Sequence, residues 1–290
     1  MAIEFRNRQA LVDAKGFILD SDGTLQDKGV PIEGACDLIN VLNESGRRFV
    51  VATNSSVIRA CDHAEKLRAI GLKVRDDQVI TSCDAAVAHL LTFGKRIKVL
   101  VLGSDVLSEG IADRDMVLVD REQEWTPEGW KEGSAPDMVV VGRMEAINMK
   151  RDVDPAVNAI VRNGAGFVAT NDDRYTVDRN GIMHAGAGAL VRGIAHATDF
   201  EPLVVGKPHP TMICLALERM GIKDTEAVIV GDNPETDMRS AQVWMDDFRA
   251  KLNACLIGTG VESGDKNAQH IDAVCDSVKD LAAFLQAHPL

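Results

Sequence analysis

The stretch Gly16-Phe-Ile-Leu-Asp-Ser-Asp-Gly-Thr-Leu25 decides the fold, because a short apolar run ends there in two closely spaced carboxylates, Asp20 and Asp22. A continuous apolar run of this kind is typical of a buried strand. In an open α/β sheet, ligands bind beyond the carboxyl ends of the strands, so the pattern indicates one edge of an active site. For this stretch alone, an Asp-Gly turn that closes a β-hairpin is the alternative.

Short apolar runs alternate with helical patterns over most of the 290 residues. This alternation is typical of parallel strands joined by crossover helices, so the sequence predicts an α/β protein. A chain of this length exceeds most single cores, which favours two domains over one. The predicted strands are Phe17–Leu19, Phe49–Ala52, Val99–Leu102, Met138–Val141, Phe167–Ala169, Leu203–Val205, Ala227–Val230 and Cys255–Ile257.

The helical patterns between these runs give further expectations. Apolar residues at helical spacing over 38–42 and 57–70 predict helices that are ended by Gly46 and Gly71. The acidic, turn-rich segment 121–136 predicts an exposed loop whose two tryptophans pack locally.

The segment 238–251 has no glycine after the last polar motif, so we expect a longer or distorted helix there. Trp244 and Phe248 are spaced four residues apart in it, so they pack on the core or form an interface, and packing on the core is favoured.

Composition excludes several classes of function. The chain has 32 Lys and Arg residues against 44 Asp and Glu residues, a net charge of -12, and no basic cluster, so nucleic acid is not an expected partner. No run approaches the roughly 18 apolar residues that span a bilayer, and the N-terminus carries no apolar signal core. We therefore expect a cytoplasmic protein that does not bind membranes.

The cysteines and histidines do not form a known metal pattern. The six cysteines include no C-x-x-C pair, and the seven histidines include no H-E-x-x-H. The cysteines are interpreted as small core residues in a reducing compartment, so neither a zinc site nor a disulfide framework is expected. A hard cation bound by oxygen remains open.

Four segments place polar residues at the end of an apolar run or just before a helix. Each also has an ordinary structural interpretation, as a helix N-cap, a turn or a solvated lysine. In chain order, the segments contribute Asp20, Asp22 and Thr24; Thr53, Asn54, Ser55 and Ser56; Lys207; and Asp232 with Asp237.

One explanation accounts for all four segments. Carboxylates that share a sheet edge repel each other unless a cation lies between them. Mg²⁺ prefers one or two carboxylates, waters and a substrate phosphate in an octahedral shell. We therefore expect Mg²⁺ to be bound by Asp20, Asp232 and a main-chain carbonyl near Asp22, with Thr53 and Lys207 binding the remaining phosphoryl oxygens.

At this point the chain resembles a known family. Asp20-Ser-Asp-Gly-Thr24, Thr53-Asn54, Lys207-Pro208 and Gly231-Asp-Asn-Pro-Glu-Thr-Asp237 match, in this order, the four motifs of the haloacid dehalogenase superfamily. About 150 residues separate the second motif from the third, as in members with a large cap domain in that interval.

Two segments of that interval narrow the resemblance. Gly166-Phe-Val-Ala-Thr-Asn-Asp172 and Gly186-Ala-Gly-Ala-Leu190 are similar to the subgroup of NagD and the 4-nitrophenylphosphatases. The paired glycines also raise a dinucleotide-binding reading, but no G-x-G-x-x-G follows a strand there, so close helix packing is the better explanation.

The resemblance implies a Rossmann-like parallel-sheet core of residues 1–84 and 201–290, with an inserted α/β cap domain of residues 85–200. It implies that Asp20 is a nucleophile that forms an aspartyl-phosphate, and that Asp22 acts as general acid and then as general base. The presence of Asp22 also argues for phosphate chemistry over carbon–halogen displacement.

The resemblance further assigns the surrounding residues. Thr53, Asn54, Ser55 and Lys207 would bind phosphate together with Asp20, with Thr53 and Lys207 counted as catalytic. The metal shell would be Asp20, Asp22 and Asp232, supported from outside by Asp237 and Asn233.

The sequence thus predicts a Mg²⁺-dependent phosphatase that hydrolyses a small-molecule phosphate monoester. A phosphotransferase with the same intermediate and a non-catalytic protein that binds phosphate ligands are the alternatives. Residues that set substrate choice are expected in 142–150 and 171–184, including Asn171, Asp172, Asp173 and Arg174. A homodimer is expected from the resemblance alone.

Overall fold

The computed structural model describes residues 3–178, 180–258 and 270–290. In chain order the strands are β1 (Ile3–Phe5), β2 (Gly16–Leu19), β3 (Gln26–Asp27), β4 (Val30–Pro31), β5 (Arg48–Thr53), β6 (Val79–Thr81), β7 (Lys98–Leu102), β8 (Val117–Leu118), β9 (Trp125–Thr126), β10 (Gly129–Trp130), β11 (Met138–Val141), β12 (Gly166–Ala169), β13 (Tyr175–Val177), β14 (Met183–Ala185), β15 (Leu203–Val204), β16 (Ala227–Gly231), β17 (Asn253–Ile257) and β18 (Ala273–Cys275).

The α-helices are α1 (Arg8–Val12), α2 (Ala35–Glu44), α3 (Ala60–Ala69), α4 (Ser82–Leu91), α5 (Asp105–Ala112), α6 (Arg121–Glu124), α7 (Asp154–Asn163), α8 (Ala187–Thr198), α9 (Pro210–Met220), α10 (Arg239–Phe248) and α11 (Val278–Gln286). Short 3₁₀ turns occur at Asp76–Gln78 and Asp224–Glu226, and π turns at Met149–Val153 and Pro234–Met238. Every predicted strand coincides with an observed one, which confirms the α/β prediction.

The chain forms two compact units. The first consists of Met1–Thr53, Ala60–Ile80 and Lys207–Leu290, and the second of Asn54–Arg59 and Thr81–Gly206. The sequence places the corresponding boundaries after residues 84 and 200. Among the described residues, no helix combines the length and apolarity needed to cross a membrane.

The first unit is built on a seven-stranded sheet with the order β1-β18-β17-β16-β2-β5-β6. Strand β2 is fully buried, and it pairs in parallel with β16 on one side and with β5 on the other. Leu19 is in register with both Val230 and Val51, so the three central strands end at the same edge of the sheet. This register places the first, second and fourth polar segments side by side.

Helices α2 and α11 pack against each other over this sheet. The packing buries Leu38 and Leu42 of α2 and Leu281 of α11 completely. Truncating one such leucine to alanine costs about 2–5 kcal/mol, so this layer anchors the sheet. The predicted helix end is confirmed, because Gly46 follows α2 with a φ of 72°, the left-handed conformation common after a helix.

The second unit contains a five-stranded parallel sheet with the order β15-β12-β11-β7-β8. Helices α7 and α8 supply buried residues to its core, including Ile160 and Ile194. The tight start of α8 explains its paired glycines. A Cβ on Gly188 would lie 2.7 Å from the main-chain oxygen of Asp172, which confirms close packing as their role.

The prediction of a loop over 121–136 is wrong in part. Helix α6 and the hairpin of β9 and β10 occupy its first half. The rings of Trp125 and Trp130 face each other across this hairpin at 5.5 Å, and Trp130 donates a hydrogen bond to the carbonyl of Pro155 at 3.2 Å. Local packing of the two tryptophans is confirmed, and it stabilises the short elements.

A helix is confirmed over most of 238–251, as α10, but the distortion precedes it. A π turn at Pro234–Met238 leads directly into α10, which ends where Arg249 adopts a φ of 52°. The prediction that Trp244 and Phe248 both join the core is wrong for the phenylalanine. Trp244 is buried, whereas Phe248 stacks on its outer face and stays 50% exposed.

Two further predictions are wrong in part, the start of the helix over 57–70 and the burial of all six cysteines. Helix α3 begins at Ala60, after Val57, and its Cys61 is exposed. Cys214 is exposed as well, whereas Cys83, Cys255 and Cys275 are buried, so only part of the cysteines are core residues. Cys61 lies on α3 and Cys214 on α9, each on the exposed side of its helix.

Candidate active site

A tight turn after β2 presents Asp20 and Asp22. The amide of Asp20 donates to the carbonyl of Val230 at 2.8 Å, which fixes the turn to the neighbouring strand. The carbonyl of Ser21 accepts the amides of Leu25 and Gln26, both at 3.0 Å. The backbone therefore folds back on itself immediately after the nucleophile candidate, as the sequence Asp-Gly-Thr favours.

Gly23 allows this turn to contact the end of β16. Its φ is 86°, and a Cβ at this position would lie 2.6 Å from Cγ of Asp232. The hydroxyl of Thr24 donates to Oδ1 of Asp232 at 3.1 Å. Only a residue without a side chain fits here, so the glycine of the first motif and the aspartate of the fourth are structurally coupled.

Lys207 joins the first and fourth motifs. Its Nζ donates to Oδ1 of Asp20 and, at 2.7 Å, to Oδ1 of Asp237, and the side chain is 4% exposed. Burial lowers the pKa of this ammonium group, but the charges of Asp20 and Asp237 outweigh that effect and raise the pKa. The lysine is therefore a fixed cation at the sheet edge.

Asp237 is positioned by the π turn that follows β16. Its Oδ2 accepts the amide of Asn233 at 3.2 Å, and the carboxylate packs against Gly231, where a Cβ would collide with it. The side chain of Asn233 accepts the amide of Glu235 at 2.9 Å. Asn233 thus caps the turn and shapes the site through the backbone.

Three carboxylates converge beside the lysine. Oxygen atoms of Asp20, Asp232 and Asp237 all lie within 4.8 Å of one another. Burial, followed by the charge of Asp237, raises the pKa of Asp232 to about 6. Burial also raises the pKa of Asp20, and the charges of Asp237, Asp232 and Asp22 add to this against the opposing effect of Lys207.

This donor set fits a divalent cation bound by oxygen. Carboxylates that raise one another's pKa are stabilised when a cation neutralises them. Both carboxylate oxygens of Asp237 are engaged, one by Lys207 and one by Asn233. Asp20 and Asp232 are therefore the better ligands, and Asp237 positions the lysine.

Asp22 has a different environment from the three clustered carboxylates. The side-chain amide of Gln26 donates to its Oδ1, and burial raises its pKa, while Lys207 acts in the opposite direction. Its environment therefore favours holding a proton more than that of an exposed carboxyl does.

The second motif is divided between the units. Thr53 ends β5 in the first unit and is 2% exposed, whereas Asn54 and Ser55 belong to the second unit. The carbonyl of Asn54 accepts the side chains of Asn171 and Ser82, both at 2.8 Å. Thr53 therefore belongs to the same unit as the carboxylates, and the next residue is hydrogen-bonded within the second unit.

Two of the residues predicted to set substrate choice, Asn171 and Asp173, make contacts within the second unit. Asn171 is 4% exposed and holds the carbonyl of Asn54, and Oδ1 of Asp173 accepts the side-chain amide of Asn54 at 3.3 Å. Asn171 therefore has a structural role at the start of the second unit.

Sequence reasoning did not find two partners of the first motif. Gln26 contacts Asp22, and His63 of α3 lies 2.9 Å from the hydroxyl of Ser21 through its Nε2 atom. A signal for His63 was present, since it lies four residues before Leu67 and so shares the apolar face of its helix. Gln26 follows Asp22 by four residues in a turn and carries no such signal.

Comparison with known proteins agrees with this geometry. Residues 17–116 match a family model described as haloacid dehalogenase-like hydrolase, and residues 204–281 match a second one described as HAD-like hydrolase. Together the two matches cover more than half of the chain. They include all four motifs.

Individual proteins of known name are similar over nearly the whole chain. A 5′-nucleotidase of Bacillus subtilis is 26% identical over 272 residues, which is 93% of this chain and 97% of that protein. The structure of a 4-nitrophenylphosphatase from Thermotoga maritima has a TM-score of 0.80 and 27% identity, covering 94% of this chain and 98% of that one.

A glycerol phosphate phosphatase from Mycobacterium tuberculosis, solved in complex with magnesium, has a TM-score of 0.78 and 25% identity. The match covers 96% of this chain and 78% of that one. With the ordered motifs, the parallel sheet that brings them together and the two family matches, the chain belongs to the haloacid dehalogenase-like hydrolases.

Proposed function

We propose that this protein is a Mg²⁺-dependent phosphatase that hydrolyses small phosphate monoesters through an aspartyl-phosphate on Asp20. The observation that carries the proposal is the buried Lys207, held between Asp20 and Asp237 beside the carboxylate of Asp232. A fixed cation next to a carboxylate at a strand end provides a place for a phosphoryl group and a nucleophile to attack it.

In the first half of the reaction, a carboxylate oxygen of Asp20 attacks phosphorus, and the bond from phosphorus to the ester oxygen breaks. Asp22 donates a proton to the departing alcohol oxygen. Burial raises the pKa of Asp22, which favours the protonated form that this step requires over that of an exposed carboxyl.

In the second half, Asp22 accepts a proton from water as the water oxygen attacks the phosphorus of the aspartyl-phosphate. The bond from phosphorus to the Asp20 oxygen then breaks, which releases inorganic phosphate and restores the carboxylate. Lys207 and the hydroxyl of Thr53 stabilise the negative phosphoryl oxygens in both halves.

Asp20, Asp232 and a main-chain oxygen near Asp22 would hold the cation. When bound, Mg²⁺ neutralises the charge of the carboxylates and of the transferring phosphoryl group. Asp22 is then free of the carboxylate cluster for proton transfer, in agreement with its contact to Gln26.

The similar proteins indicate the class of substrate. Their names refer to nucleotides, 4-nitrophenyl phosphate and glycerol phosphate, which are all small phosphate monoesters. We propose the same class here, with the second unit acting as the cap that contacts the leaving group. A cytoplasmic location and a homodimer stay predictions.

The test is phosphate release from a panel of phosphorylated sugars, glycerol phosphate, nucleotides and 4-nitrophenyl phosphate, with Mg²⁺ or with EDTA. Asp20→Asn should lower turnover more than about a thousandfold, because an amide is a poor nucleophile. Asp247→Asn is the matched control, since Asp247 is exposed on α10. Equal turnover by the wild type and Asp20→Asn on every ester would refute the proposal.

A further inference from the structure

A buried polar pair lies directly behind the candidate nucleophile. The hydroxyl of Ser21 and Nε2 of His63 are 2.9 Å apart. Ser21 is completely buried, and His63 is 8% exposed. Both belong to the first unit, with Ser21 in the turn after β2 and His63 on α3.

Ser21 connects this pair to the site through the backbone. It stands between Asp20 and Asp22, whose side chains contact Lys207 and Gln26 respectively. The side chain of Ser21 contacts α3 instead, and its carbonyl accepts the two amides that close the turn. A shift of the backbone at Ser21 would therefore move both neighbouring carboxylates, Asp20 and Asp22.

We propose that His63 is a positioning residue, whose hydrogen bond to Ser21 fixes the orientation of Asp20 and Asp22 for phosphoryl transfer. The expected effect on the rate rests on the proposed function, whereas the hydrogen bond between His63 and Ser21 is independent of it. A displacement of about 1 Å in a reacting group lowers rates by about a hundredfold, so a directional bond behind the nucleophile has a large effect.

A purely structural pair is the competing explanation. Two buried polar groups that satisfy each other add little net stability compared with apolar groups of the same shape. The main effect of the hydrogen bond between Ser21 and His63 is therefore to fix the orientation of the turn and not to stabilise the fold. Burial, followed by the charge of Lys66, lowers the pKa of His63, so the ring is neutral at neutral pH and keeps one donor and one acceptor nitrogen.

The experiment compares Ser21→Ala, His63→Leu, the double variant and His63→Gln in the full-length protein. Leucine removes the bond, whereas glutamine keeps a polar group near the position of Nε2. Leu67→Ala is the control, because Leu67 lies one turn further along α3, is 1% exposed and contributes only apolar packing. For each variant, kcat, KM and Tm are measured on the best substrate of the panel.

We expect Ser21→Ala and His63→Leu each to lower kcat about tenfold or more, with KM changed by less than about twofold. The double variant should be no slower than the slower single variant, because both remove the same bond. His63→Gln should recover most of kcat. Leu67→Ala should lower Tm at least as much and leave kcat within about twofold of the wild type.

Two results would overturn the inference. One is that the single effects on kcat multiply in the double variant. The other is that kcat follows Tm across the series, with Leu67→Ala as slow as Ser21→Ala.

A second readout separates this inference from the proposed function. Side-chain ¹⁵N NMR of His63 should show one neutral tautomer in the wild type and a mixture in Ser21→Ala. A wild type that hydrolyses no ester contradicts the proposed function only, whereas an unchanged His63 tautomer in Ser21→Ala overturns the inference whatever the activity.

Discussion

Gly23 couples backbone conformation to the chemistry of the site. An alanine there must adopt a φ of 86° and place its Cβ against the carboxylate of Asp232. The left-handed conformation alone costs about 1–2 kcal/mol, and the collision displaces a proposed metal ligand as well. We predict that Gly23→Ala lowers both Tm and, by at least about tenfold, kcat.

Gly46→Ala is the matched control for this prediction. Gly46 has a similar φ of 72°, but a Cβ there meets nothing within 4 Å. Its alanine variant should lose stability through strain and keep its kcat. If Gly23→Ala were as active as Gly46→Ala, the contact between Gly23 and Asp232 would have no functional weight.

We predict that Asp232 makes the proposed Mg²⁺ binding depend on pH. Its pKa is raised from 3.8 to about 6, chiefly by burial, and a protonated carboxyl cannot bind the cation. Below pH 6 the apparent affinity for Mg²⁺ should fall at least about tenfold for each pH unit, because the pKa of the other proposed ligand, Asp20, is raised as well. Thermal unfolding with increasing Mg²⁺ at pH 5, 6 and 7.5 measures this.

The raised pKa of Asp232 also determines how the stability of the metal-free protein changes with pH. A raised pKa contributes stability below 3.8 that is lost as the pH rises through about 6, so Mg²⁺ should stabilise most at pH 7.5. Asp232→Asn removes the titrating group and should weaken Mg²⁺ binding at all three pH values. An affinity that is equal at pH 5 and pH 7.5 in the wild type would contradict the assignment of Asp232.

The sequence predicts the reactive residues of the site better than the residues that hydrogen-bond to them. An apolar run followed by a polar residue, with Gly or Pro close by, is enough to predict Asp20, Asp232 and Lys207. The contacts of Gln26 and His63 could not be predicted. Helical spacing places His63 on the apolar face of α3, but its hydrogen bond to Ser21 depends on how α3 packs, which the spacing of 42 residues does not encode.

At the scale of elements, the buried carboxylate of Asp152 links two of them. It lies in the π turn at Met149–Val153 and accepts a hydrogen bond from Arg121 of helix α6. Burial alone raises the pKa of Asp152, but hydrogen bonds from Arg151, the amide of Asn148 and Arg121 outweigh it and lower the pKa to about 2. Asp152 is completely buried, so removing its charge leaves two guanidinium groups without their shared partner.

We predict that Asp152→Asn destabilises the protein by about 1–3 kcal/mol at pH 7, measured by urea unfolding. The pKa is lowered, so the contribution is present above the ordinary value of 3.8 and is lost as the pH falls through about 2. Glu109→Gln is the control, because its ion pair with Arg59 is about half exposed on both sides and contributes about 0–1 kcal/mol. Similar losses for both variants would contradict this account.

The sequence predicts long elements better than short ones. Strands such as β11 are apolar throughout and buried on both faces, so their pattern is unambiguous. The hairpin of β9 and β10 has two residues in each strand, and the contact between Trp125 and Trp130 holds it together. No apolar run or alternation marks this hairpin in the sequence, whereas the equally short β15 lies in an apolar run and is predicted.

Across the whole molecule, the site is assembled from distant parts of the chain. Lys207 and Asp20 are separated by 187 residues in sequence, and the second unit is inserted between the second motif and the third. The order of motifs predicts this arrangement because parallel strands must be connected by crossovers. The sequence places the boundaries after residues 84 and 200, whereas the chain passes between the units near 80 and 206 and also near 53 and 59, where no boundary is predicted because no change in composition marks it.

The central claim concerns a covalent bond to one residue, and it can be tested directly in the intact protein. Wild-type protein is mixed with Mg²⁺ and an active ester, quenched in acid within milliseconds, digested and examined by mass spectrometry. We predict a phosphorylated peptide with the phosphate on Asp20, and none from Asp20→Asn. Rapid turnover without a phosphorylated Asp20 peptide, or with phosphate on another residue, would contradict the account.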